Sequence, residues 1–146
     1  MKFKLIAKPG YISKKNREIL DKLDKECFKY DPLYEKEDCY WWLLFDKNQP
    51  VGFAGLKIIK EEKCAFLCRV GISEKYRGKG YQKRFIKIRE RQCKKLGIYD
   101  IITYTYYKTL NSANSLISSG YKLYEPEKHW ASLPRKETLY FKKTLL

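Results

Sequence analysis

The chain alternates short apolar runs with charged segments, and the period of that alternation changes along its length. Phe3 to Ala7 reads as a strand, which Pro9 and Gly10 end. Ser13 stands at the N-cap position of a helix that places Ile19, Leu20, Leu23 and Cys27 on one face, with Glu18/Lys22 and Asp21/Lys25 as favourable i, i+4 pairs. After Asp31 and Pro32, two apolar runs, Tyr40 to Phe45 and Val51 to Ile59, flank Asp46 to Pro50 as an antiparallel hairpin, and the short Lys60 to Lys63 turn adds Cys64 to Ile72 as a third antiparallel strand. From Gly80 to Leu96 the period becomes helical, with Tyr81, Phe85, Ile88, Gln92 and Leu96 on one face and Gly97 as the terminating glycine. Tyr99 to Tyr106 is then a strand reached by a crossover and so parallel to the one before; Asn111 to Ser118 is a short helix closed by Gly120, and Tyr121 to Tyr124 and Thr138 to Lys143 are final strands. The series strand, helix, three strands, helix, strand, helix, two strands predicts an α/β fold, a mixed sheet of about seven strands with helices on both faces.

Composition narrows this picture. At 146 residues with 44% hydrophobic positions the chain suits one domain, 1–146, that folds throughout without disulfides. Cys27, Cys39, Cys64, Cys68 and Cys93 are an odd number at irregular spacing, with no CxxC pair or Cys/His cluster, so reduced thiols in a cytoplasm and no metal site are expected. No apolar run approaches the ~18 residues of a membrane span, and no membrane association is expected. Lys and Arg number 32 against 17 Asp and Glu, a formal charge of +15 that favours polyanions such as nucleic acid, CoA phosphates or anionic lipid without choosing among them. Six cations, Lys83, Arg84, Lys87, Arg91, Lys94 and Lys95, fall on the outer side of the second helix against the single acid Glu90, and Trp41, Trp42 and Trp130 would be stacking platforms if exposed, so a nucleic-acid-binding module stays open as an alternative.

The strongest local signal is Val70-Gly-Ile-Ser-Glu-Lys-Tyr-Arg-Gly-Lys-Gly-Tyr81, a strand that runs into a glycine-rich loop opening an amphipathic helix. Gly78 and Gly80 are free to turn successive N–H groups inward at the positive end of the helix dipole, an arrangement that cradles a pyrophosphate, with Lys75, Arg77, Lys79, Lys83 and Arg84 adding charge. GxxxxGK[ST] is absent, and a Rossmann GxGxxG would need a third glycine at Arg84.

Residues 75 to 80, Lys-Tyr-Arg-Gly-Lys-Gly, resemble motif A of the GNAT superfamily of N-acetyltransferases, Gln/Arg-x-x-Gly-x-Gly/Ala, with Lys75 at the first position. Thr109 to Tyr121 is similar to the family's motif B: Ser112, Asn114, Leu116, Gly120 and Tyr121 fit, and Thr109 stands at the family's asparagine. Both occur in family order, about 30 residues apart. The resemblance implies the GNAT acyl-CoA N-acyltransferase fold, acetyl-CoA as co-substrate and an amine as acceptor, whether a protein amine, a polyamine or another small amine, with the enzyme a monomer or homodimer. It implies that the pantetheine arm bonds the backbone of Val70, Gly71 and Ile72. The pyrophosphate falls to Lys75, Arg77, Gly78, Lys79, Gly80, Tyr81 and Gln82, and Asn111 or Asn114 supplies the motif B amide.

Direct transfer needs a deprotonated amine, a polarised thioester and a proton for the thiolate. Tyr104 stands where many relatives carry the base glutamate, and Leu116 where many carry the acid tyrosine. The candidate acids are therefore Tyr104 and Tyr106, with Tyr107 beside them, while water takes the amine proton; packing on a pleated face is the alternative role for each. A degenerate member that binds CoA without chemistry also remains open. Cys64 and Cys68, four apart on one strand, raise a thiol nucleophile without a histidine to activate it. By resemblance the acceptor site lies between the first helix with Phe28 to Tyr40 and the loop near Tyr124 to Pro134, where Asp31, Glu35, Glu37 and Asp38 form a local acidic patch suited to steering a cation.

Overall fold

A computed structural model describes residues 1–106, 109–131 and 137–146. Among them run β1 (Lys2–Ala7), α1 (Lys14–Cys27), β2 (Cys39–Asp46), β3 (Gln49–Ile59), β4 (Cys64–Ile72), α2 (Tyr81–Lys95), β5 (Asp100–Tyr106), α3 (Leu110–Ser118), β6 (Lys122–Leu123) and β7 (Thr138–Thr144), with 3₁₀ turns at Lys60–Glu62 and Glu74–Tyr76. This is the predicted series. The strands hydrogen-bond in the order β1-β2-β3-β4-β5-β7-β6. The sheet is mixed: β4 and β5 are parallel, whereas β1 with β2, β2 with β3, β5 with β7 and β6 with β7 are antiparallel. No described helix is long and apolar enough to cross a membrane.

The chain forms two compact units, residues 1–57 with 68–85 and residues 58–67 with 86–146. In the first, the Ser13 side chain accepts the Asn16 N–H at 3.1 Å to open α1, a cap worth about 1 kcal/mol. Leu20 and Leu23 are buried as the periodicity predicts. Trp41 is wholly buried, and its ring lies so close over Gly55 that a Cβ there would sit 2.6 Å from it. Trp42 is 5% exposed, so neither tryptophan is a stacking platform: β2 lies between β1 and β3, and an interior strand buries both faces.

In the second unit β7 inserts between β5 and β6, paired with β5 from Asp100↔Thr144 to Tyr106↔Thr138. Sequence order alone puts β6 beside β5. The inward places go to β7 because its consecutive Tyr140 and Phe141 are both buried, as an interior strand requires, while β6 has only two exposed residues. Trp130 is half-buried, packed edge-on to Phe66 and Tyr104, and is not a free platform either.

The buried face of α2 is centred differently from its predicted stripe. Phe85, Ile86, Arg89 and Cys93 are buried, Tyr81, Ile88 and Gln92 are half-buried at the edge, and Leu96 is 41% exposed. A charged residue, Arg89, occupies a core position, so an apolar count misplaces the centre by about one residue. Leu96 is excluded because the helix ends there in a Schellman turn, with Ile98 N–H on the Cys93 carbonyl and Gly97 at φ 72°. An equivalent turn closes α3 at Gly120, where Tyr121 N–H bonds the Leu116 carbonyl.

Candidate functional site

In the first unit β4 delivers the chain into the glycine loop through the Glu74–Tyr76 turn. That turn is fastened twice to the β2–β3 hairpin: Ser73 N–H donates to the Val51 carbonyl at 2.8 Å, and the Tyr76 hydroxyl donates to Asp46 Oδ2 at 2.6 Å. Beyond it Gly78 and Gly80 take φ of 74° and 84°, the left-handed region that side-chain-bearing residues avoid. The Gly80 carbonyl accepts the Arg84 N–H at 3.2 Å, so Gly80 caps α2. No described group accepts the N–H of Gly78, Lys79 or Gly80, and a Cβ at either glycine would meet nothing within 4 Å. Free amides, open room and the positive end of the dipole of a fifteen-residue helix together fit a pyrophosphate.

The predicted cations divide in role. Lys75, Lys79, Lys83 and Arg84 are exposed around this loop, with Lys79 Nζ 5.8 Å from the Tyr76 ring centroid and Arg84 over Phe3 at 4.7 Å. Arg77 folds back: its Nε donates to the Ile72 carbonyl at 2.8 Å, tying the loop to the end of β4. Burial pushes the Cys27 thiol up, and the Arg77 guanidinium, which hydrogen-bonds it, opposes that shift. Tyr81 is half-buried against Phe3, and Gln82 is half-buried beside it in the first turn of α2.

Val70 and Ile72 are half-buried on β4, and Gly71 between them is buried because nothing larger fits. A Cβ on Gly71 would lie 2.5 Å from Phe53 Cε1 and 3.0 Å from Cys27. Phe53 is wholly buried, with the rings of Phe28 at 6.4 Å and Trp41 at 6.1 Å. Gly71→Ala is expected to lower stability by about 1–3 kcal/mol, since a close-packed core resists added volume. Urea unfolding with an unchanged m-value and a reduced midpoint checks this; a midpoint equal to that of the unaltered chain refutes it.

The other candidates belong to the second unit. Tyr104 is stacked on Phe66 at 5.6 Å and packed against Trp130 at 5.3 Å and Tyr140 at 6.3 Å, so its ring is held from three sides. Tyr106 is half-buried two residues on, 6.1 Å from Tyr104 between ring centroids. Tyr107 lies outside the described residues. Thr109, at the position of the family's asparagine, turns its hydroxyl onto the Tyr106 carbonyl at 2.6 Å, while Asn111 and Asn114 are exposed on α3. Tyr121 of motif B is structural: its hydroxyl donates to Glu90 Oε2 at 2.8 Å, and Lys143 Nζ meets the same oxygen at 3.0 Å. Burial pushes the Cys64 thiol up to about 11, with the Glu62 carboxylate adding to the shift, which keeps it protonated and a poor nucleophile.

Two features escape a reading of the sequence. The Thr105 hydroxyl is buried with no hydrogen-bond partner among the described residues, beside Thr103, whose own hydroxyl donates to the Leu67 carbonyl at 2.9 Å. In the first unit Asp24 is 1% exposed at the end of α1 and anchors the irregular segment that follows. Its Oδ1 accepts from Arg69 of β4 at 2.8 Å, and its Oδ2 accepts from Lys36 Nζ and from the Tyr34 N–H, each at 2.9 Å. The predicted acidic residues Asp31, Glu35, Glu37 and Asp38 are all exposed along that segment, with Glu37 paired to Arg17. The far part of the predicted acceptor loop, 132–134, lies outside the described residues.

The profile of the Acetyltransferase (GNAT) family matches residues 10–121, from before α1 through β4, the glycine loop and α3. The chain belongs to the GNAT family. No curated protein matches it by sequence. Solved structures match the GNAT chain end to end. A Bacillus subtilis acetyltransferase in complex with CoA has a TM-score of 0.75 at 14% identity, covering 99% of both chains. The Escherichia coli ribosomal-protein-S18-alanine N-acetyltransferase has a TM-score of 0.76 at 9% identity, covering 99% of this chain and 94% of its own. A chimera of the spermidine N-acetyltransferase SpeG from Vibrio cholerae has a TM-score of 0.74 at 12% identity, covering 99% and 97%. At these identities the likeness is one of fold, that of the GNAT acyl-CoA N-acyltransferases.

Proposed function

We propose that this GNAT enzyme takes the acetyl group of acetyl-CoA and transfers it directly to a primary amine, with the whole of 1–146 acting as one catalytic domain. The observation that carries the reading is the device at the end of β4: three loop amides without acceptors, two left-handed glycines and a helix N-terminus among exposed cations. The amides of Gly78, Lys79 and Gly80 bind the CoA pyrophosphate, with Lys75, Lys79, Lys83 and Arg84 supplying charge, and the backbone of Val70, Gly71 and Ile72 bonds the pantetheine. Tyr81 and Gln82 open the helix at that loop, and Asn111 or Asn114 offers a further amide. CoA in the B. subtilis neighbour supports the donor, and acetylation of a protein alanine and of spermidine by the other two supports an amine acceptor. The exposed acids Asp31, Glu35, Glu37 and Asp38 favour approach of a cationic amine. Five free cysteines agree with a reducing cytoplasm.

Calorimetric titration with acetyl-CoA tests the donor: no heat and no thermal stabilisation at millimolar acetyl-CoA would remove the proposal. Gly80→Val is expected to weaken binding about tenfold, because a branched side chain projects into the open space beside the loop amides and disfavours the left-handed φ. The same variant should lose about 1–3 kcal/mol of stability, the strain of a left-handed residue, with no added clash because no protein atom is near its Cβ. Undiminished affinity would place the pyrophosphate elsewhere.

A further inference from the structure

The distribution of charge along the chain points to a second polyanion site, apart from the glycine loop. Between residues 14 and 38 seven basic side chains are interspersed with eight acidic ones, whereas between 75 and 95 ten basic residues accompany one acid. A lysine-rich composition alone would not segregate charge in this way. Within the second unit, α2 continues the basic stretch with Lys87, Arg91, Lys94 and Lys95, all exposed. Their spacing of four, three and one residues puts them on one face, a stripe about 12 Å long at 1.5 Å per residue.

The stripe is uncompensated. No carboxylate of the described residues lies within ion-pair distance of any of the four. The one acid of the helix, Glu90, is turned away and already engaged by the Tyr121 hydroxyl and Lys143. Like charges at i, i+4, as at 87/91 and 91/95, oppose one another, while the helix dipole favours Lys94 and Lys95 in the last turn; against an anionic partner all four become favourable.

We propose that this face of α2 binds the sugar-phosphate backbone of nucleic acid, without reading sequence. Duplex DNA carries one charge per about 1.7 Å of axis, so a stripe of this length spans several phosphates, and lysine and arginine contacts to phosphate carry no base information. A membrane surface fits worse. A helix that lies in a lipid interface offers a continuous apolar face to the acyl chains, whereas here Ile86 and Cys93 are buried, Ile88 is half-buried and Leu96, just past the end of the helix, is the exposed aliphatic residue of this stretch. The site owes nothing to acetyl-CoA binding, and the two stand or fall separately.

Fluorescence anisotropy of a labelled duplex and of its single strand, with CoA saturating throughout, tests the proposal. Raising salt from about 50 to about 200 mM should weaken binding about 50- to 150-fold, the counterion release of four phosphate contacts. Reversing all four charges, as K87E/R91E/K94E/K95E, should abolish oligonucleotide binding while the affinity for CoA is unchanged. Because acids near a helix C-terminus oppose its dipole, K87Q/R91Q/K94Q/K95Q serves as the milder variant, expected to lose at least tenfold. Absence of binding at the lower salt, insensitivity to salt, or a neutralised variant that binds as tightly as the unaltered chain would each overturn the proposal. So would co-sedimentation with phosphatidylserine vesicles in the absence of oligonucleotide binding.

Discussion

Asp24→Ala is expected to cost about 3–5 kcal/mol of stability, the range for removing one partner of a buried ion pair. Asp24 and Lys36 are each 1% exposed, and the carboxylate meets the Lys36 ammonium, the Arg69 guanidinium and the Tyr34 amide at once. Without it, Lys36 keeps only the half-exposed Asp21 at 3.0 Å and the Tyr34 carbonyl at 2.7 Å, and Arg69 keeps the Pro32 carbonyl at 2.9 Å and the Phe28 ring at 4.4 Å. An ammonium left in that position is far from water with half its compensation gone. At about 2–4 °C per kcal/mol for a chain of this size, Tm should fall roughly 6–20 °C. Asp24→Ala combined with Lys36→Met should recover part of the loss, because the unpaired charge leaves with the lysine. A single variant within 1 kcal/mol of the unaltered chain, or a double variant less stable than the single, would show that the network carries little of the stability.

That network also explains what could and could not be read from the sequence. The glycine loop was legible because a left-handed φ leaves a chemical mark: glycine at 78 and 80, each between residues that cannot take its place. The start of α1 and the ends of α2 and α3 were legible for the same kind of reason, Ser13 at the first and Gly97 and Gly120 at the other two. Asp24 leaves no such mark. Its partners lie 10, 12 and 45 positions away, on an irregular segment and a strand, and in the sequence it is one more charged residue of a charged helix. Arg89 is hidden similarly, a cation at a core position of α2. The place of β7 in the sheet and the burial of Trp41 and Trp42 depend on which strands become neighbours, and periodicity within one strand cannot carry that information. At the candidate site the parts local to one stretch of chain were found, while the Thr105 hydroxyl, whose significance is only that nothing pairs with it, needed coordinates.

Tyr106→Phe is expected to lower kcat at least 100-fold, about 2.7 kcal/mol, with the KM for acetyl-CoA near that of the unaltered enzyme. The proposed transfer from acetyl-CoA expels a thiolate that must gain a proton, and Tyr104 and Tyr106 are the two candidate β5 phenols to give it. They share one face of the strand, being two residues apart. Tyr104 is enclosed by Phe66, Trp130 and Tyr140, and its ring has a packing role that accounts for its presence. Tyr106 stands nearer the C-terminal end of β5, the end at which ligands bind in parallel α/β sheets. Tyr104→Phe should therefore keep kcat within about threefold, because the ring and its contacts survive the loss of the hydroxyl. Steady-state kinetics over an amine panel at saturating acetyl-CoA separate the two, and the pH profile adds an independent reading: an acid phenol gives kcat a basic limb that Tyr106→Phe would erase. Should both phenylalanine variants retain kcat, neither phenol delivers the proton, and Tyr107 or water must protonate the thiolate. Should Tyr104→Phe alone be slow, the roles of the two side chains exchange, and the aromatic cage around Tyr104 becomes the device that aims its hydroxyl rather than a reason to exclude it.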